Sequence, residues 1–427
     1  MPRRLRLLYL YAKRGRKVDM GMPAIERIKA SVAKLKGRKS FSYMAIARQL
    51  ARKGAEVVNF GVGQPDVDTP RPIVEEAKRA LDQGFTKYTE AVGIAELREA
   101  IAEYLNTRFS SNVKSSEVIV TPGALSAVFL SYMGYVEPGD EVVIIEPSYP
   151  PYTELAVLFN AKPVYVPLRW RGEDTGFELD MELFESSLSS RTKMIVVNNP
   201  HNPTGLLIHS KHIERILELA KKVGAVVLVD EIYNEIVFDK TAFKSVISFD
   251  NWRDAVLYVG GFSKTFSMTG WRLGYLVARE DIVTKLANLA VNIWSCPTSF
   301  VQKAGVKALR SPEVWDYVRE MVELFLKRRN FMVSRLRQLK GVEVWPSQAT
   351  FYLFPYFGSI LQRLGLEDDA FAEKLLYSKY VVVLPGSGFP DKAGKNFLRF
   401  SYAVDIDMIY KGVERIRQFI EEVEKPS

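Results

Sequence analysis

One lysine in this chain has neighbours suited to covalent chemistry. Lys264 follows the apolar run Val256–Val259 in the segment Gly261-Phe262-Ser263-Lys264-Thr265-Phe266-Ser267-Met268-Thr269-Gly270-Trp271-Arg272-Leu273-Gly274. The carboxyl end of a buried strand is where α/β sheets place ligands. A partly desolvated lysine there loses its proton readily and attacks a carbonyl to form a Schiff base. Ser263 and Arg272 offer a hydroxyl donor and a planar fork, both suited to a phosphate. The alternative is an exposed loop lysine, the situation of most lysines. The glycine spacing of a P-loop is absent.

Other segments add polar groups at the ends of apolar runs. Asn198-Asn199-Pro200-His201-Asn202-Pro203-Thr204-Gly205 contains two Asn-Pro steps, which favour extended backbone before each proline and fix the Asn202 amide at a strand end. His201 within it reads as a packing or hydrogen-bonding residue rather than a catalyst. Asp230 ends the run Val226–Val229, either as a helix N-cap or as an ion partner for a ligand. In Thr121-Pro122-Gly123-Ala124-Leu125-Ser126, a strand gives way to a glycine turn and a helix. Free amides at that start either hold a phosphate or merely join two elements. Lys87-Tyr88-Thr89 before Gly93, Gly61-Val62-Gly63-Gln64-Pro65-Asp66 and Leu384-Pro385-Gly386-Ser387-Gly388-Phe389 complete the set. Arg399 lies within the apolar run Phe397–Ser401, so it needs an anionic partner, either an internal carboxylate or a ligand.

The elements that must position these groups alternate. Helices are expected at Ala24–Leu35, Met44–Arg52, Pro72–Asp82 and Ile94–Phe109, with a strand at Glu56–Phe60. Short apolar runs then recur at Val118–Thr121, Val142–Ile145, Val164–Val166, Met194–Asn198, Val226–Asp230, Val256–Val259 and Leu273–Ala278. Helical stretches such as Ser210–Val223 separate most of them. This alternation predicts a mostly parallel sheet covered on both faces, and the short loop between the last two runs suits an antiparallel pair. After about Ser311 the pattern becomes α+β. A helix is expected over Pro312–Leu339, strands at Val342–Val344 and Phe351–Tyr356, a helix at Asp369–Leu376, strands at Val381–Val383 and Phe397–Ser401, and a helix over Asp405–Val423. The strand near Val57 lacks a nearby partner and is expected to join this second part.

A chain of 427 residues, 47% apolar and 26% charged, is an ordinary globular protein of about two domains. A single cysteine, Cys296, excludes an internal disulfide or a Cys-rich zinc site, and three histidines argue against a histidine metal centre. The net charge of +9 invites a nucleic-acid reading. Residues 1–40, however, carry 13 Lys/Arg against Asp19 and Glu26, so the rest of the chain is slightly acidic. No apolar run reaches the roughly 18 residues of a membrane span. No secretory signal core is present, and the protein reads as cytoplasmic.

Together these segments resemble the fold-type I, pyridoxal-phosphate-dependent aminotransferases of class I/II, in order and spacing, from about Gly54 to the C-terminus. The resemblance implies an α/β fold. A large domain would hold a mostly parallel seven-stranded sheet with one antiparallel strand, sandwiched by helices. A smaller α+β domain would come from the N- and C-terminal parts. The divisions are 1–22, a basic poorly packed extension; 23–66, part of the small domain; 67–310, the large cofactor-binding domain; and 311–427, the remainder of the small domain. The resemblance also implies roles. Lys264 holds pyridoxal 5'-phosphate as a Schiff base and shuttles the α-proton. Asp230 pairs with the pyridine nitrogen, while Tyr233 and Asn202 bond the ring's phenolic oxygen. Ser263, Arg272 and the Gly123-Ala124-Leu125 helix start hold the phosphate. Tyr149 stacks on the ring, where many relatives carry tryptophan. Arg399, aided by Asn202 and Gly63, binds the substrate α-carboxylate. Tyr88 reaches the partner's cofactor in a homodimer.

The implied activity is ping-pong transfer of an amino group between an amino acid and a 2-oxo acid such as 2-oxoglutarate. Dicarboxylate-preferring relatives carry a second cation. In one branch it falls near Thr298, but no Lys or Arg lies between Lys285 and Lys303; in another it falls where this chain has Leu125. Neutral aliphatic or aromatic donors are therefore expected. The same residues would also serve a cysteine-conjugate β-lyase or a cyclopropane-carboxylate synthase. A non-catalytic cofactor-sensing regulator is disfavoured by the lack of a paired-helix N-terminal domain.

Overall fold

The seven apolar runs in the middle of the chain pair as one sheet in the computed structural model, which describes residues 28–35, 39–239, 241–390 and 392–424. In chain order the strands are β1 (Val58–Asn59), β2 (Val118–Thr121), β3 (Glu141–Glu146), β4 (Lys162–Pro167), β5 (Arg169–Trp170), β6 (Phe177–Glu178), β7 (Thr192–Asn198), β8 (Val226–Asp230), β9 (Val256–Gly261), β10 (Gly274–Val277), β11 (Tyr352–Leu353), β12 (Val381–Val382), β13 (Leu384–Pro385) and β14 (Leu398–Ser401). The large sheet runs β2-β10-β9-β8-β7-β3-β4. Its neighbours are parallel except β10, which is antiparallel to both β9 and β2. Side chains alternate between two apolar layers: Val143, Ile145, Val227 and Val229 pack on one face, Val142, Ile144 and Leu228 on the other. Burial on both faces explains why these strands read as continuous apolar runs.

The registers bring the polar strand ends to one rim. Asn198 pairs with Asp230, Asp230 with Val259, and Gly274 with both Gly261 and Thr121. Because β10 runs backwards, its first residue meets the last residues of its neighbours. The helix-start loop, the two Asn-Pro steps, Asp230 and the Lys264 segment therefore share one edge.

The N-terminal strand finds its partner late in the chain. β1 pairs in parallel with β12, and Phe60 N donates to Val382 O at 2.9 Å. β14 pairs between β11 and β13 and carries Arg399 opposite Leu384. The helices Lys39–Arg52, Ser210–Val223, Pro312–Leu336, Asp368–Lys379 and Ile406–Glu424 lie within three residues of the expected ends, apart from the start of the first. The expectation at Val342–Val344 is corrected: only an isolated antiparallel bridge, Glu343 with Tyr356, forms there. The expected strand at Phe351–Tyr356 shortens to β11, since Pro355 has no amide to extend the ladder. Of the helix expected over Ala24–Leu35, Ala30–Ala33 is helical, while 24–27 and the extension 1–22 lie outside the described residues. No described helix is long and apolar enough to cross a membrane.

The final helix presses on β1 through Gly412, where an added Cβ would come within 2.4 Å of the Phe60 ring and 2.8 Å of Val58. Gly412→Val is expected to lower stability by about 1–3 kcal/mol through overpacking, read as a lower urea midpoint. An unchanged midpoint would contradict this close contact.

Candidate active site

The rim borders a cavity of about 390 Å³. Gly63, Ala124, Leu125, Tyr149, Asn202, Asp230, Tyr233, Ser263, Lys264, Arg272 and Arg399 all line it. Gly123 lies behind Arg272: its φ is +84°, and a Cβ there would sit 2.2 Å from an Arg272 terminal nitrogen. Tyr88 is outside the cavity of its own chain and is 87% exposed.

Lys264 Nζ donates to Gly63 O at 2.5 Å. Burial, then the charges of Arg399 and Arg272, push its pKa down to about 8, against the pull of Asp230. The amine is thereby brought toward its neutral, nucleophilic form. Asp230 is buried, and no helix follows it; β8 runs into a turn. Its Oδ2 accepts from Tyr152 Oη at 2.7 Å and its Oδ1 from the Ile232 amide at 3.1 Å. Burial nevertheless raises its pKa, so a cation brought against it would favour its charged form.

Arg399 is 6% exposed. Its Nη1 donates to Asn202 Oδ1 at 3.2 Å and its Nη2 to Gly61 O at 3.0 Å, while its guanidinium lies 4.2 Å from the Tyr352 ring centre. Its Nε has no hydrogen-bond partner, and among the described residues no acid pairs with it. Asn198 Oδ1 accepts the Asn202 amide at 2.8 Å, and Asn198 Nδ2 donates to Asp230 O at 2.9 Å. Tyr233 and Tyr352 hydroxyls meet at 3.1 Å.

The family model described as aminotransferase class I and II matches residues 55–416. The chain belongs to that family. It is 47% identical over 390 residues to an aspartate aminotransferase of Sulfolobus acidocaldarius, covering 91% of this chain and 96% of the relative. The solved aspartate aminotransferase of Thermotoga maritima superposes with a TM-score of 0.84 at 33% identity, over 92% of this chain and all of the other. The aromatic aminotransferase of Pyrococcus horikoshii gives 0.81 at 33%, over 88% and 99%. This aminotransferase is a transaminase, and enzymes of its kind use pyridoxal 5'-phosphate.

The residues present fit that cofactor. A phosphate needs several donors converging without a competing acid. The first amides of helix Ala124–Tyr135 have no intrahelical acceptor. Arg272 sits against Gly123 and bonds internally to Thr269 O at 2.8 Å. Arg272 itself has φ 54°, an uncommon conformation for a side-chain-bearing residue. Gly274 completes the close approach, since a Cβ there would lie 2.4 Å from Ala124 N.

Several lining residues escaped the sequence reading. Tyr152, Tyr352 and Arg48 are ordinary residues of helices and strands, and no local motif marks them; Asn198 opens the Asn-Pro segment, yet its bond to Asp230 O is made across the sheet. His201 is buried with Nδ1 2.8 Å from Thr204 Oγ1, and burial pushes its pKa down to about 3. It is a neutral packing residue here, outside the cavity lining.

Gly123→Ala is expected to displace Arg272 and strain the backbone by about 1–2 kcal/mol. Equilibrium titration of the apoenzyme with pyridoxal phosphate should show about tenfold weaker binding. Unchanged binding would mean that this glycine turn does not border the phosphate.

Proposed function

We propose that the aminotransferase transfers an amino group to a 2-oxo acid with the cavity residues in the following roles. Bound pyridoxal phosphate supplies an electron sink for the charge left when the α-proton departs. Lys264 carries the cofactor through Nζ and, as a free amine, takes the α-proton and returns it. Asp230 holds a positive charge on the ring nitrogen, with Tyr152 fixing the carboxylate. Tyr233 and Asn202 orient the ring oxygen, and Tyr149 covers one ring face. Ser263, Arg272 and the amides after Gly123 hold the phosphate. Arg399 receives the substrate α-carboxylate, aided by Asn202 and the Gly63 strip.

One observation carries this reading: Lys264 shares its cavity with Arg399, a buried cation whose acidic partner is absent among the described residues. A substrate carboxylate supplies that partner. The domain division at about 67 and 311 belongs to the same reading: Gly63 and Arg399 then come from the smaller part, and Lys264 from the larger. A homodimer with Tyr88 reaching the partner's cofactor is supported by that residue's exposure and by the exposed Met133, Val291 and Ile293. For the donor, Leu125 in the lining supports neutral side chains, and the name of the Sulfolobus acidocaldarius relative makes aspartate the rival.

Mixing the holoenzyme with alanine, leucine, phenylalanine or aspartate, without an acceptor, should bleach the cofactor's visible band once per site and release the matching oxo acid. Addition of 2-oxoglutarate should restore the band. Continuous release of pyruvate and ammonia from a cysteine conjugate, with no acceptor needed, would favour the lyase alternative. Asp230→Asn should bind the cofactor yet lose about 3–5 kcal/mol of transition-state stabilisation; near-normal turnover would remove Asp230 from the mechanism.

A further inference from the structure

The cavity lining contains a cation to which the proposed roles give no task. Arg48 lies on the helix Lys39–Arg52 and lines the same cavity as Arg399 and Lys264. It is one turn beyond Met44, so both residues lie on one helix face. Met44 is seated directly on the substrate side of the fold: Asn59 Nδ2 donates to its sulfur at 3.0 Å. Asn59 Oδ1 accepts the Gly61 amide at 3.0 Å, and Gly61 O accepts from Arg399 Nη2. A short chain of contacts thus fixes the helix carrying Arg48 relative to the arginine proposed for the α-carboxylate.

Arg48 differs from most arginines of the chain in having no ion pair or hydrogen bond among the described residues, and it is exposed. Elsewhere, arginines such as Arg79, Arg215, Arg310 and Arg417 meet carboxylates. In the cavity lining, Asp230 is the only acid among the described residues, and Tyr152 and the Ile232 amide already hold it. An anion bound across the cavity therefore meets no competing carboxylate beside Arg48. A guanidinium offers two parallel donors to a carboxylate and stays charged at any working pH.

We propose that Arg48 is the receptor for the distal carboxylate of dicarboxylate substrates, 2-oxoglutarate as acceptor and acidic amino acids as donors. The proposal rests on the aminotransferase reading and deepens it. Neither position 125 nor the stretch around Thr298 carries a cation. The fold brings the cation from a helix far from both in sequence. Exposure suits a site that serves two kinds of substrate: with a neutral side chain present, the guanidinium remains in water at little cost, and with a dicarboxylate it pairs. Leu125 then meets the neutral side chains. One pocket serves both half-reactions of a ping-pong cycle.

The test compares matched pairs of ligands on the holoenzyme. Succinate and butyrate differ only in a carboxylate replaced by a methyl group, and neither reacts. Calorimetric titration should show that Arg48→Gln weakens succinate binding about 10- to 100-fold relative to butyrate, the scale of one charge-assisted hydrogen-bonded contact. The ratio of kcat/KM for 2-oxoglutarate to that for pyruvate should fall by a similar factor, and Arg48→Lys should recover part of it. Equal losses for both members of each pair would mean a structural role and overturn the proposal. So would unaltered ratios, which would assign the distal carboxylate to another group. A wild-type enzyme that transaminates no pair at all would refute the underlying reading instead.

Discussion

A guanidinium taken out of water without a carboxylate beside it is costly, and Arg399 is in that position. Two carbonyl-type oxygens and an aromatic face ease the burial but leave the charge uncancelled. The cost is tolerable because the strand that carries it, β14, is locked between β11 and β13 and tied through Ser401 N to Phe60 O at 2.7 Å. Much of the active site follows from this one unpaired cation. After burial, its charge is the next cause of the lowered Lys264 pKa; it is held by Asn202, and in the proposed mechanism a substrate carboxylate would complete it.

Sheet topology supplies the other half of the site. Parallel strands present their carboxyl ends together, and the reversed β10 delivers Arg272 and Gly274 to the same edge. The loops there approach so closely that side chains must be missing at Gly123 and Gly274. Asp230 and the helix start after Gly123 lie at element ends, while Lys264 and Arg272 lie in the connection between β9 and β10, whose two ends are pinned by the pairing of Gly261 with Gly274.

Much of this was legible in the sequence where chemistry and local structure coincide. The Lys264 segment, the Asn-Pro loop and the Asp230 strand each concentrate unusual residues within a few positions, and Val226–Asp230 and Ser210–Val223 form as their patterns predict. Contacts made across the fold left no local mark. Tyr152 lies 78 residues from the Asp230 carboxylate it bonds, and Tyr352 lies 119 from Tyr233. Arg48 looks like any solvated helix residue until the helix is docked. Val342–Val344 misled for the opposite reason: its β-branched residues read as a strand, but pairing there stops at a single bridge.

The central claim is that the cavity prepares Lys264 to act as a nucleophile by burying it beside two arginines. The most direct measurement is capture of pyridoxal phosphate by the apoenzyme across pH, trapped with borohydride and mapped to peptides. The neutral amine grows as pH rises, so the rate should climb, reach half its limit near pH 8, where the Lys264 pKa lies, and level off above it, with the label on the peptide containing Lys264. A rate still climbing toward pH 10, as for an ordinary lysine, or a label on another peptide, would contradict it.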